Sequence, residues 1–195
     1  MKTIPLSIKV CYNVGIGEKC MKYELLELRS YMIDNDTGVY EMLQELPAVD
    51  EFDQHNEYFG LSKEDTKKLI NKMMRHAYGF DNSQDYPCCE HFILFVDGKP
   101  VSMGCLMLEM TDYWRKHRGY FWYKTRPSER KKGYGTKLLE LIVDRAKELG
   151  YKELFSQCDI NNYGSNKIMI NNGFTTYINP LCPDWDDTNF YRRDI

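Results

Sequence analysis

A chain of 195 residues that is 43% hydrophobic and 28% charged can bury one sizeable core without help from a disulfide or a metal. A net charge of −3 and a pI near 5.8 argue against a nucleic-acid partner, which needs a broad basic face. Seven cysteines, an odd number without a CxxC pair, suggest neither a disulfide framework nor a zinc knuckle.

Residues 1–14 carry Pro5, Lys9 and Asn13 among their apolar positions, so they lack the continuous apolar run of a leader. No stretch approaches the roughly 18 apolar residues of a membrane span. Free thiols imply a reducing compartment, and a cytoplasmic protein is expected. The spacing predicts a strand over 22–29. A helix then follows Asp36-Thr37, with Val39, Met42, Leu43 and Leu46 on one face and Pro47 after it. Residues 48–61 read as an ordered polar and aromatic loop. Ser62-Lys63-Glu64-Asp65 resembles a capping box, and Leu69, Ile70, Met73, Met74 and Ala77 fall on one helical face. Residues 79–87 read as loop.

Cys88-Cys89-Glu90-His91 has the composition of a metal site. Adjacent residues at a strand start point to opposite faces, however, so no metal is expected. Residues 91–96 and 101–108 form a hairpin around Asp97-Gly98. A charged, aromatic connection spans 111–118, and an aromatic strand spans 119–126. From Gly133 the period becomes helical through Leu138, Leu141, Ile142, Ala146 and Leu149, with Gly150 as the stop. Strands over 153–158, 174–178 and 188–193 enclose a short helix over 162–172. The expectation is one α+β domain over 1–195, with 1–21 as an extension of open role.

Residues 119–158 thus run strand, basic glycine-containing turn, helix, strand. Two strands joined through a helix should lie parallel with a right-handed crossover. The turn Arg130-Lys131-Lys132-Gly133-Tyr134-Gly135 then meets a helix start, whose free N–H groups and positive dipole end attract an anion. Gly133 and Gly135 leave room for a phosphate. No Walker sequence is present, and Leu138 stands where a dinucleotide fingerprint needs its third glycine. A solvated charged loop is the alternative.

Arg130 through Gly135 matches the [QR]xxGx[GA] signature and resembles the GNAT superfamily of N-acetyltransferases. The longer 126–134 string, Cys158-Asp159-Ile160-Asn161-Asn162, and Ser165 through Asn172-Gly173-Phe174 are similar to one bacterial branch of predicted GNAT acetyltransferases. The resemblance implies a GNAT-type fold: a mixed, mostly antiparallel sheet with splayed central parallel strands, flanked by helices. It implies acetyl-coenzyme A as co-substrate and no metal. The backbone of Tyr123, Lys124 and Thr125 would pair with the pantetheine arm. Amides from Lys131 to Thr136, within the basic turn, would hold the pyrophosphate. Asn162 and Ser165 would sit at the thiol end.

The family's usual tyrosine falls at Met169, its strand carboxylate at Gln157 and its early glutamate at Gly119, so none carries over. Tyr123, Tyr120 and Glu109 are the candidates for proton transfer, and Tyr123 is preferred. Tyr58, Phe59, Trp114 and Tyr191 either line an acceptor pocket or belong to the core. The implied activity is direct acetyl transfer to a primary amine of a small molecule or peptide, by a monomer or homodimer without nucleic-acid or membrane partners. A non-catalytic acyl-CoA-binding module of the same fold is the alternative.

Overall fold

The computed structural model describes residues 7–12, 21–78, 80 and 88–195, with the backbone alone for 7–12. Strands β1 (Ser7–Tyr12), β2 (Met21–Glu27), β3 (Cys89–Val96), β4 (Lys99–Met107) and β5 (Phe121–Thr125) form one sheet in that order, antiparallel throughout. The part of the amino-terminal extension that is described is therefore an edge strand. Asp97 and Gly98, both at positive φ, make the tight β3–β4 turn. A second sheet takes β6 (Glu153–Asp159), β8 (Thr188–Asp194) and β7 (Thr175–Tyr177), again antiparallel.

Strand β3 is buried along its whole length, as its unbroken apolar run requires, because helices cover both faces. Helix α4 (Tyr134–Glu148) and α5 (Tyr163–Asn171) close one side, where Leu138, Leu139, Ile142 and Met169 join Phe92, Leu94 and Phe121 in the main core. Helices α1 (Val39–Glu45) and α2 (Lys63–Ala77) close the other, packing Met42, Leu43 and Ile70 against Ile93 and Met103.

The capping residues behave as their chemistry dictates, with one exception. Ser62 Oγ accepts the Asp65 N–H at 3.1 Å and begins α2. Helix α1 has Gly38 at its N-cap without a side-chain cap; Thr37 Oγ1 takes the Val39 N–H and donates to Met32 O. The connection after β4 contains a helix the periodicity did not reveal, α3 (Asp112–His117), started by Thr111 Oγ1. The loop expected at 79–87 lies outside the described residues except at Phe80.

Strands β5 and β6 splay apart, as the resemblance implies. The two strands meet at one isolated bridge, Gly119 with Ser156, supported by Tyr120 N–H to Phe155 O at 2.9 Å. Gly119 is at φ +111, and a Cβ there would lie 2.6 Å from both Phe155 O and Ser156 Cα. Only glycine allows this close approach. Beyond it the strands belong to different sheets.

Candidate functional site

The splay leaves one edge of β5 open. Arg126 N–H donates to Val101 O at 2.9 Å and Met107 N–H to Tyr120 O at 2.7 Å. In an antiparallel ladder, hydrogen-bonded pairs alternate with pairs whose backbone groups point outward. Continuing the register places Lys124 with Met103 and Trp122 with Cys105 as bonded pairs. The backbone groups of Phe121, Tyr123 and Thr125 therefore turn away from β4. Two contacts agree: Ser156 Oγ reaches Phe121 O at 3.3 Å, and Arg130 Nε reaches Thr125 O at 3.4 Å. Of the three residues expected to pair with an extended ligand, Tyr123 and Thr125 offer their backbone to the gap, and Lys124 gives its backbone to β4.

At the end of β5 the chain passes through the basic turn. Arg130, Lys131, Lys132 and Gly133 are exposed. Gly133 sits at φ +84 with no atom within 4 Å of a hypothetical Cβ. It is the N-cap of α4 and supplies no side-chain cap, so the N–H groups of Tyr134, Gly135 and Thr136 lack helical partners. A 15-residue helix pointing an uncapped, positive end at an open basic turn suits a pyrophosphate. The charge is less than the sequence suggests. Buried Glu129 binds both Lys132 (2.7 Å) and Lys99, which leaves Arg130 and Lys131 as the main cations of the turn. Gly135 is small for another reason: its Cβ would lie 2.7 Å from Ile168 Cδ1 and 3.1 Å from Thr125 Oγ1. It sets how closely α4 approaches α5 and β5.

Across the gap, Asn162 Oδ1 caps α5 by accepting the Ser165 N–H at 3.0 Å. Ser165 Oγ lies 2.8 Å from Tyr123 Oη, whose hydroxyl also reaches Ser165 O at 3.3 Å. Burial holds the Tyr123 phenol above its ordinary range, against the Ser165 hydrogen bond that lowers it, so the group stays protonated at neutral pH. Cys158 completes this corner. Its thiol is pushed up to about 11, chiefly by burial, and it donates to Asn166 Oδ1 at 3.3 Å.

Asn166 organises the corner through both ends of its amide. Its Oδ1 also accepts from Tyr191 and Asn189, each at 2.7 Å. Its Nδ2 donates to the carbonyls of Asp159 (2.9 Å) and Asn162 (2.8 Å). Sequence reasoning passed over Cys158 and Asn166 as site residues, although both lie within the stretches that carried the resemblance. Met169, at the position of the family tyrosine, is buried in the main core, where a tyrosine would overpack.

The other candidates lie elsewhere. Tyr120 packs edge-on against Tyr151 and Phe155 at the root of the splay. Glu109 is exposed just past β4, close enough to raise the Cys88 thiol after the larger effect of burial. On the opposite face of β5, Lys124 Nζ donates to Gln54 O at 3.1 Å and His55 O at 2.8 Å, and Arg126 pairs with Glu45. These contacts fasten the end of α1 and the loop that follows it over the sheet. Of the four aromatics with two readings, Tyr58 and Tyr191 are core residues. Trp114 packs on a small cluster with Cys89 and Cys105, and Phe59 is half exposed.

No helix of the described residues is long and apolar enough to cross a membrane, and no group of three or more metal-ligating side chains among them could hold an ion. The family profile described as "Acetyltransferase (GNAT) family" matches residues 53–174. No curated protein matches the chain. Among solved structures, the chain is similar to the Salmonella typhimurium acetyltransferase that modifies the N-terminal serine of ribosomal protein L7/L12. That match has TM-score 0.60 and 18% identity, over 89% of this chain and 95% of that one. It is also similar to a ribosomal-protein-S5-alanine acetyltransferase from Vibrio fischeri, at TM-score 0.61 and 13% identity, over 95% and 96%. A third similarity is to a Microcin C7 self-immunity acetyltransferase complexed with acetyl-CoA and AMP, at TM-score 0.62 and 15% identity, over 89% and 92%.

Proposed function

We propose that this chain, which belongs to the acetyltransferase (GNAT) family, moves an acetyl group from acetyl-CoA to a primary amine of a small molecule or peptide by direct attack in a ternary complex. Acetyl-CoA is the co-substrate of the family, and when bound it supplies the thioester. The single domain 1–195 provides the rest. Amides of residues 131–136, with Arg130 and Lys131, hold the pyrophosphate. The outward backbone groups of Tyr123 and Thr125 hold the pantetheine arm as an added strand would, and the Tyr123 N–H faces the thioester oxygen. Asn162 and Ser165 stand at the sulfur end. The Tyr123 phenol, kept protonated by burial, gives its proton to the departing thiolate while Ser165 Oγ fixes its direction. An amine with a pKa near about 10 must shed a proton before it attacks, so the rate should climb with pH through the neutral range.

The open edge of β5 above the uncapped start of α4 carries this reading. The structural neighbours described above include acetyltransferases of ribosomal proteins, which supports a peptide acceptor, and one complexed with acetyl-CoA, which supports the co-substrate. The test offers acetyl-CoA and a panel of amines and amino-terminal peptides, following CoA release and product mass. Product with any member supports the enzyme. Calorimetric binding of CoA with no product across the panel would make the chain a sensor, and absence of binding would remove the site itself.

A further inference from the structure

Asn166, in the first turn of α5, ties β6, β8 and the start of that helix together with one amide. Its Nδ2 meets only carbonyl oxygens, those of Asp159, Ile160 and Asn162 at 2.9, 3.3 and 2.8 Å. Its Oδ1 meets only groups that can donate: the Asn189 amide, the Tyr191 hydroxyl and the Cys158 thiol. Turning the amide over would set an oxygen against three oxygens, so its orientation is fixed. Asn162 O accepts from Asn166 twice, from Nδ2 and from the backbone N–H at 2.9 Å.

That orientation sets the direction of the hydrogen bonds around it. Oδ1 carries no hydrogen, so Cys158 spends its S–H there. The Cys158 sulfur is then left to accept from Ser165, whose hydroxyl bonds it. Ser165 has one hydrogen and two acceptors for it, that sulfur and Tyr123 Oη at 2.8 Å. Oxygen is the stronger acceptor, and it strengthens as the phenol loses its proton, when the bond becomes charge-assisted. The backbone is held from the same point. Ser165 N–H donates to Asn162 Oδ1 at 3.0 Å, and Asn162 is the residue whose carbonyl Asn166 grips. One amide thus fixes both the place of the Ser165 hydroxyl and the direction of its hydrogen.

We propose that Asn166 is a positioning residue for acetyl transfer, acting on the Tyr123 phenol through Ser165. This rests on the acetyltransferase reading, in which that phenol protonates the departing thiolate. Asn166 touches no reacting atom. It holds the Ser165 hydrogen ready for the phenol oxygen, which leaves the phenol's own hydrogen free for the sulfur. Alanine at this position would free three carbonyls, loosen the first turn of α5 and release the Cys158 hydrogen. Aspartate would still accept from Cys158, Asn189 and Tyr191, but its second oxygen would face the carbonyls that Nδ2 now serves. Among side chains of this length, only an amide offers both ends. Tyr191 is buried and its hydroxyl ends on Asn166 Oδ1, so loss of that acceptor also costs stability.

The experiment is a double-mutant cycle on the full chain. Asn166→Ala should lower kcat by about tenfold and leave the KM for acetyl-CoA in place, and the loss should vanish in the Tyr123→Phe background, where the route has no end. Should Asn166→Ala not fold, Asn166→Asp keeps the bonds from Tyr191 and Asn189, removes only the donor, and carries the same expectation. A loss of equal size with and without the Tyr123 hydroxyl would mean that Asn166 serves the fold at large, and would end the proposal. A second readout needs no turnover: nuclear magnetic resonance of chain labelled at tyrosine Cζ, the Tyr123 line being the one absent from Tyr123→Phe. That line should move in Asn166→Ala or Asn166→Asp, and a line that stays put would also end the proposal. A native chain that acetylates nothing, yet whose Tyr123 line answers to Asn166, would overturn the acetyltransferase reading and leave the link between the two residues intact.

Discussion

The two faces of β5 are built on different principles. On one, Phe121, Tyr123 and Thr125 meet α4, α5 and the end of β6, and their backbone groups turn away from the β4 ladder. On the other, Trp122, Lys124 and Arg126 meet segments drawn from residues 45–55 and 89–105, and side chains are the fasteners. The first face depends on where the backbone has no partner. The second depends on long-range contacts that hold a loop in place. Damage to the first should therefore appear in catalysis and cofactor affinity, and damage to the second in acceptor affinity and stability.

The largest expected effect is at the phenol that the first face buries. Tyr123→Phe should lower kcat by about 100-fold, within the usual range for one general acid, and leave the KM for acetyl-CoA nearly unchanged. Because the folded phenol sits above its ordinary range, the native enzyme should show no loss of this proton below about pH 10. A kcat that survives the substitution intact would reduce Tyr123 to packing.

Next come the cations of the turn. Arg130→Glu with Lys131→Glu should raise the KM for acetyl-CoA by about 30-fold, more at low salt, with kcat preserved. Lys132→Ala should do less, because that ammonium is already engaged by Glu129. Steady-state kinetics at two ionic strengths would check the ranking, and an equal loss from Lys132→Ala would mean that Glu129 yields it to the ligand.

The two faces also differ in how plainly the sequence announces them. The first face is contiguous in the chain. A strand, a basic turn, a glycine at a helix start and an asparagine cap lie within residues 121–165, and each acts through backbone geometry that residue type dictates. Hence the β5–α4–β6–α5 order and the Gly133 helix start were legible. The splay followed from the resemblance and not from the residue pattern, which gave only parallel strands, and the close approach at Gly119 from which the sheets diverge is a tertiary fact. The second face left little trace, because Lys124 binds the carbonyls of Gln54 and His55, and any residue supplies a carbonyl. Glu129 reads as one more charge in a charged loop until its burial is seen. Helix α3, at six residues, is too short for periodicity to distinguish from a loop.

A stability test separates the faces further. Glu45 in α1 pairs with Arg126 and accepts the Ser128 N–H at 2.7 Å. Burial raises its carboxyl, but the Ser128 and Arg126 hydrogen bonds outweigh burial and bring it to about 2 from an ordinary 4.5. The folded value is depressed, so this stabilisation is present above pH 4.5 and lost as pH falls towards 2. Glu45→Gln should cost about 1–2 kcal/mol at pH 7, after allowing for the solvent that reaches this pair. The gap in denaturation midpoint between the two proteins should close on acidification. A gap that persists unchanged at pH 3 would show that Glu45 acts by packing alone.

The smallest expected effect sharpens the comparison most, because it asks whether the second face serves the acceptor at all. Lys124 belongs to both faces: its backbone completes the β4 ladder and its ammonium ties down residues 54 and 55. Lys124→Met keeps the stem and the strand but deletes two hydrogen bonds from a half-buried cation, whose charge burial already disfavours. Loss of the hydrogen bonds and relief of the buried charge oppose each other, so global stability should move by less than about 1 kcal/mol. The freed loop should instead raise the KM of a good amine acceptor by about threefold to fivefold, while the KM for acetyl-CoA stays put. The split between the two KM values is the readout. If both rise together, the loop supports the cofactor cleft through β5 and the division of labour between the faces is wrong; if neither moves, the acceptor binds away from residues 54 and 55.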